Sequence, residues 1–133
     1  MKTLPLRLHP GDDLRRALES AVAAQGCSAA FVLAGIGSLN PTQLRLAGAA
    51  EAQAIDGDVE VLTMSGSVGG DGSHLHLSVS DAQGRVLGGH AAYGCTVRTT
   101  AEVLLALLPD WQFGREADAR TGYAELRIRP RQG

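Results

Sequence analysis

Ser73-His74-Leu75-His76-Leu77-Ser78-Val79-Ser80-Asp81-Ala82-Gln83-Gly84-Arg85-Val86-Leu87-Gly88-Gly89-His90 is the stretch on which the fold turns. From residue 74 to 80 apolar and polar side chains alternate. A strand therefore places Leu75, Leu77 and Val79 on one face and His74, His76, Ser78 and Ser80 on the other. Asp81-Ala82-Gln83-Gly84-Arg85 has the composition of a type I turn followed by a left-handed glycine, a three-residue hairpin loop that pairs Asp81 with Arg85. Counting five residues outward on each strand sets His76 directly opposite His90, with His74 one step along the same face. Opposed Cβ atoms in antiparallel pairs lie about 4.5–5.5 Å apart, which lets two imidazoles reach one ion at roughly 2.0–2.1 Å. Gly88 and Gly89 leave room beside the cluster for an ion, a ligand or another subunit. They also permit a bulge, which shifts the register by one and turns His90 away.

Outward from this hairpin the same periodicities sort the rest of the chain. Residues 3–8 alternate as a strand, ended by the turn His9-Pro10-Gly11. Leu14, Ala17, Leu18, Ala21 and Val22 follow helical spacing, with Asp12 or Gly11 as the cap and Gly26 as the stop. Residues 29–33 form an apolar strand that continues through Gly35-Ile36-Gly37-Ser38-Leu39 to Asn40-Pro41. Residues 42–47 alternate as another strand. Asp56-Gly57 reads as a hairpin turn between residues 51–55 and 59–64, and residues 66–72 as a flexible glycine-rich loop. Thr99-Thr100-Ala101-Glu102 fits a capping box opening a second helix that runs to Leu108 and stops at Pro109. Residues 111–115 and 123–129 supply the last two strands. Hairpin-linked strands with two principal helices predict a single α+β domain over residues 1–133 with a mainly antiparallel mixed sheet.

Composition narrows the function. At 133 residues one core is expected; with aromatic residues at only 4%, it is built of Leu, Val, Ile and Ala, and no aromatic and basic surface exists for stacking nucleobases. The formal net charge of −2 argues against unaided attraction to phosphate backbones. Cys27 and Cys95 have no C-x-x-C spacing and read as buried thiols of a reducing compartment; with neither a signal peptide nor a membrane-length apolar run, a cytoplasmic location is expected. Gly35-Ile36-Gly37 lacks the third glycine and following helix of a dinucleotide site, no Gly-Lys-Ser/Thr marks a P-loop, and no serine has a nucleophile-elbow setting.

Three of the four histidines thus share one face, and the constellation points to a metal. Three neutral imidazoles without a fourth protein ligand suit zinc, or iron, nickel or copper, with water in the open position. Exposed strand histidines, or histidines bonded to backbone at a subunit contact, are the alternative. His9 belongs to its turn. Cys95 is near His90 in sequence and is a conceivable further ligand, although a buried thiol is favoured. No general base stands beside the cluster, because Asp71 and Asp81 are turn residues, so catalysis is open. Arg127, Arg129 and Arg131 alternate as a solvated strand face or a basic edge.

The motifs Leu6-Arg7-Leu8-His9-Pro10-Gly11-Asp12-Asp13-Leu14, Gly37-Ser38-Leu39, Met64-Ser65-Gly66-Ser67, His74-Leu75-His76-Leu77-Ser78, Gly88-Gly89-His90 and Gly94-Cys95-Thr96-Val97-Arg98-Thr99-Thr100-Ala101-Glu102, taken in order, closely resemble the bacterial plant-and-prokaryote-conserved (PPC) domain. The resemblance spans nearly the whole chain. It implies a compact α+β homotrimer, and bacterial and archaeal members are commonly labelled "putative DNA-binding" proteins. In plants the domain is attached to an Arg-Gly-Arg-Pro element that enters the minor groove, and itself serves oligomerisation and partner contacts; no such element occurs here. The family's histidine pattern falls on His74, His76 and His90, implying a metal site in each subunit near a subunit boundary. The readings that follow are a DNA-associated or regulatory metal-binding module with DNA or a protein regulator as partner, a zinc-dependent enzyme acting on a small substrate, or a small-ligand sensor.

Overall fold

The computed structural model describes residues 1–133. Its elements run β1 (Lys2–Leu8), α1 (Leu14–Ala24), β2 (Ala29–Leu39), β3 (Thr42–Arg45), β4 (Gln53–Ile55), β5 (Val59–Gly69), β6 (Gly72–Ser80), β7 (Val86–Ala91), β8 (Val97–Leu107), β9 (Trp111–Ala117) and β10 (Ala124–Pro130). Eight strands form one sheet in the order β1-β8-β2-β5-β6-β7-β3-β4, and β9 and β10 form a separate hairpin. Every strand pair is antiparallel. Pro5, which cannot donate a ladder hydrogen bond, sits on the edge strand β1.

Helix α1 packs on one face of this sheet through the stripe its periodicity foretells, Leu14, Leu18 and Val22, all at 1% exposure or less. They meet Val68, Leu75, Leu77, Val79, Val103 and Leu105 from the strands in one continuous core. The N-cap is Asp13, one residue beyond the expected cap, and its carboxylate accepts from the Arg16 backbone N–H at 3.1 Å. Asp12 instead closes the preceding turn, accepting from His9 N–H at 2.9 Å. The α+β class stands, with one helix rather than two.

The expected second helix is strand β8. Ala101, Leu104, Leu105 and Leu108 satisfy helical spacing, but Ala101, Val103, Leu105 and Leu107 satisfy period two equally well, and all four of these are buried whereas Leu104 and Leu108 are only partly so. Pairing decides the matter: β8 lies between β1 and β2 and fills both of their ladders. Thr99 and Glu102 accordingly form no capping box. The Thr99 hydroxyl lies 2.6 Å from that of Ser38, and Glu102 stands directly across from Arg7.

Two loop assignments also change. Residues 66–72 are no flexible connection, because β5 and β6 continue to a two-residue hairpin turn at Gly70-Asp71. Gly66 is required there by geometry: its φ is +144° and a Cβ would stand 2.0 Å from the His74 carbonyl oxygen. Asp56-Gly57 does turn the chain, but the flanking segments do not pair. β4 joins β3, while β5 lies between β2 and β6, held from the turn by Asp58, which accepts from Asn40 at 2.7 Å and pairs with Arg98 at 3.1 Å.

Candidate metal centre

The β6–β7 hairpin has the register its loop dictates. Asp81 N–H donates to Arg85 O at 3.0 Å, Gly84 N–H to Asp81 O at 3.0 Å, and Gly84 is left-handed at φ +77°. The Asp81 carboxylate reinforces the turn by accepting from the Gln83 and Arg85 backbone and from the Arg85 side chain at 2.9 Å each. His76 therefore pairs with His90, and no bulge intervenes at Gly88-Gly89. Leu75, Leu77 and Val79 are buried beneath, so His74 and His76 are turned to the face away from α1.

One ligand atom from each of His74, His76 and His90 lies within 4.8 Å of the others. The Nε2 atoms of His74 and His76 are 3.1 Å apart, and the ring centroids of the trio are separated by 4.9, 5.2 and 6.0 Å. Tetrahedral bonds of roughly 2.0–2.1 Å set ligand nitrogens about 3.3 Å apart, close to the 3.1 Å between His74 and His76. His90 Nδ1 is buried without a hydrogen-bond partner. A buried imidazole nitrogen left without a partner is costly, and in a cluster of three histidines it is in keeping with a cation site.

Cross-strand rows build the surroundings. Ser65 on β5, His76 on β6, His90 on β7 and Arg45 on β3 face one another in sequence across the sheet. In the next row His74 stands opposite Ser67, which stands opposite Phe31. The expected role of the neighbouring glycines needs correction here. Gly89 makes room for backbone rather than ligand, since a Cβ would lie 2.8 Å from the Arg45 carbonyl oxygen; a Cβ at Gly88 would likewise lie 3.0 Å from the Leu77 carbonyl oxygen. Close approach of β3 is what brings Arg45 to His90.

The β9–β10 hairpin leans over the other side. Phe113 packs edge-on against Phe31 at 5.6 Å, and Arg115 N–H donates to the Asp71 carboxylate at 2.9 Å. A cleft of about 600 Å³ results, bounded by Arg45, His74, His90, Arg115, Tyr123 and Glu125. Burial lowers the pKa of His90 to about 4, helped by the charge of Arg45; burial also lowers that of His74, with contributions from His76 and Arg115. Both imidazoles are thus neutral at pH 7, the form that donates a lone pair to a metal.

The other sequence candidates stand apart. Cys95 is buried and engages Gln43, accepting from its N–H at 3.4 Å and donating to its carbonyl at 3.3 Å. His9 stays in its turn. Arg127 pairs with Glu116 at 2.9 Å, so the C-terminal arginines form no free basic edge in common. Arg45, Arg115 and Glu125 were not visible as site residues in the sequence. Their placement depends on β3–β7 pairing and on where the last hairpin docks, neither of which leaves a local signal.

The Plants and Prokaryotes Conserved (PCC) domain model matches residues 1–109. The chain belongs to this family. Among solved structures, a hypothetical protein from Salmonella cholerae-suis is 40% identical, with a TM-score of 0.93 over 98% of this chain and 95% of that one. The metal-containing protein AF0104 from Archaeoglobus fulgidus is 25% identical, with a TM-score of 0.79 over 94% and 92%. A protein from Ralstonia eutropha JMP134 described as a "putative DNA-binding protein" is also 25% identical, with a TM-score of 0.73 over 92% and 89%. In sequence, the chain is 46% identical over its full length to part of the Bifunctional protein GlmU of Synechococcus sp. (strain JA-2-3B'a(2-13)). It spans only 21% of that relative, so this PCC domain matches one segment of a larger protein.

Proposed function

We propose that this PCC domain is a homotrimeric metal-binding module of the cytoplasm in which His74, His76 and His90 hold a divalent transition ion, zinc foremost. Its role on this reading is regulatory and DNA-associated, exerted through its assembled surface on DNA or on a protein regulator. The observation that carries the metal reading is the convergence of three imidazoles from two adjacent strands, one of them with a buried, unpartnered nitrogen. The name of the Archaeoglobus relative supports it. When bound, such an ion supplies Lewis acidity and can activate a water molecule. The chain's own part is to hold neutral imidazoles at fixed register.

The trimer is supported by apolar side chains left exposed on one sheet face, Phe31, Leu33 and Ile36 from β2 and Leu62 from β5, an arrangement suited to burial against other copies. Both cysteines are free, in keeping with a reducing compartment, and no helix is long and apolar enough to cross a membrane. DNA association rests on the description of the Ralstonia relative. With a net charge of −2, any duplex contact depends on local basic groups of the assembly. Elemental analysis of the purified chain tests the first claim: one equivalent of metal per subunit is expected, and a metal-free protein that takes up no zinc defeats it. Fluorescence anisotropy with duplex DNA tests the second, and no binding at low salt removes direct DNA contact.

A metalloenzyme or ligand sensor is favoured by one specific observation: Glu125 brings a carboxylate to the cleft beside His74. On that reading Glu125 supplies the general base that the sequence alone did not offer. Chelator-sensitive turnover of a small ester or phosphoester, lost in Glu125→Gln, establishes that reading; no turnover with the zinc-loaded protein removes it.

A further inference from the structure

Neither arginine of the cleft takes part in an ion pair. The ion pairs of this chain join Arg85 to Asp81, Arg98 to Asp58, Arg120 to Asp118 and Arg127 to Glu116. Arg45 makes one long hydrogen bond, 3.4 Å to the Ala49 carbonyl, and the Arg115 guanidinium makes none; only its backbone is engaged. Both are half-buried, and both line the same cleft as His74 and His90. Arg45 is set there by direct pairing with His90, Arg115 by the anchoring of β9 to Asp71.

We propose that Arg45 and Arg115 form an oxyanion-binding site at the open side of the histidine cluster, whose ligand is a small organic molecule bearing a carboxylate or phosphate group. A guanidinium presents a planar fork of donors that matches these groups bidentately, and it does so best when partly desolvated. The charge balance agrees. Two guanidiniums against the single carboxylate of Glu125 leave the cleft at about +1, and a divalent ion raises this to about +3. Glu125 is itself held by Thr121, whose hydroxyl donates to it at 3.1 Å. The walls are Ala49, Ala50, Ala124 and the Tyr123 ring, an apolar lining for the organic part of a ligand. A volume of about 600 Å³ suits a small metabolite.

The ligand's second anchor is the open metal position, so the site deepens the metal reading, yet the arginine pair also acts without the ion. Titration calorimetry of the full chain with inorganic phosphate and with succinate, on samples whose zinc content is measured, separates the two. Saturable binding of at least one anion is expected, tighter in zinc-loaded than in chelated protein. Arg45→Met and Arg115→Met should each weaken it about tenfold while zinc content stays at the wild-type level. Arg45→Lys and Arg115→Lys, which keep charge and much of the packing, serve where a methionine variant fails to fold, and should bind several-fold more weakly through loss of the fork. Zinc uptake with no anion binding overturns the arginine site alone. Anion binding without zinc uptake overturns the metal reading and leaves the arginine site standing. Wild-type affinity in the substituted proteins overturns the arginine site, and displacement of the anion by a short DNA duplex with steep salt dependence overturns a small-molecule ligand in favour of nucleic acid.

Discussion

His76 offers the cleanest perturbation of the proposed centre because it is the exposed member of the trio. Replacing it with alanine removes an imidazole whose protein contact is the 3.1 Å bond to His74 and opens no cavity in the core. Metal-free His76→Ala should therefore lie within about 1 kcal/mol of wild type in chemical denaturation. Metal affinity should respond very differently. Four-ligand structural zinc sites are worth about 10–16 kcal/mol, or about 3 kcal/mol per ligand, so loss of one of three imidazoles should raise the zinc Kd roughly 150-fold. Competition against a chromophoric chelator at pH 7.5 measures that ratio, with His9→Ala as the control, since His9 belongs to a remote turn. A His76→Ala protein that binds zinc as tightly as wild type refutes the reasoning, because His76 would then lie outside the coordination sphere.

Further outcomes follow from the packing and the charges. Gly66→Ala should destabilise the fold by about 3 kcal/mol or more in urea denaturation, since the new methyl group meets the His74 carbonyl at 2.0 Å and the backbone there is left-handed; a near-neutral result would contradict the β5–β6 register. Leu75→Ala, beneath the histidines at 0% exposure, should cost about 2–5 kcal/mol without abolishing stoichiometric zinc uptake. For the metal-free protein, His74 and His90 have folded-state pKa values below those of the unfolded chain. The unfolded state then binds more protons, so stability is full above about pH 6.5 and falls on acidification toward the His90 value of about 4. Thermal melts between pH 7 and 4.5 should show that decline, and it should be reduced in His90→Gln; an identical profile in that variant would show that His90 does not titrate as described.

What was legible in the sequence was what is local. The histidine register follows from five residues of loop chemistry, Asp81 to Arg85, because a three-residue connection with a left-handed glycine permits one pairing. Helix α1 was legible for the same reason, through the spacing of its apolar residues, although its cap is Asp13, one residue beyond the expected one. Residues 97–107 were not, since an apolar run with Leu104 and Leu105 adjacent satisfies both periods, and the choice belongs to the unfilled ladders of β1 and β2. The glycine-rich segment 66–72 was misread because its flexibility in the unfolded chain is spent on one tight approach, Gly66 to His74. Half of the candidate site was hidden for a related reason. Arg45 reaches His90 through pairing between strands some 45 positions apart in the chain, and Arg115 and Glu125 arrive on a hairpin that belongs to a different sheet.

The direct test of the central claim is X-ray absorption spectroscopy at the zinc edge on the purified, zinc-loaded chain. The account predicts a first shell of light atoms at roughly 2.0–2.1 Å with the outer-shell pattern of three imidazoles, reduced to two in His76→Ala. A first shell containing sulfur at about 2.3 Å, or one with fewer than three imidazoles in the wild type, would contradict it.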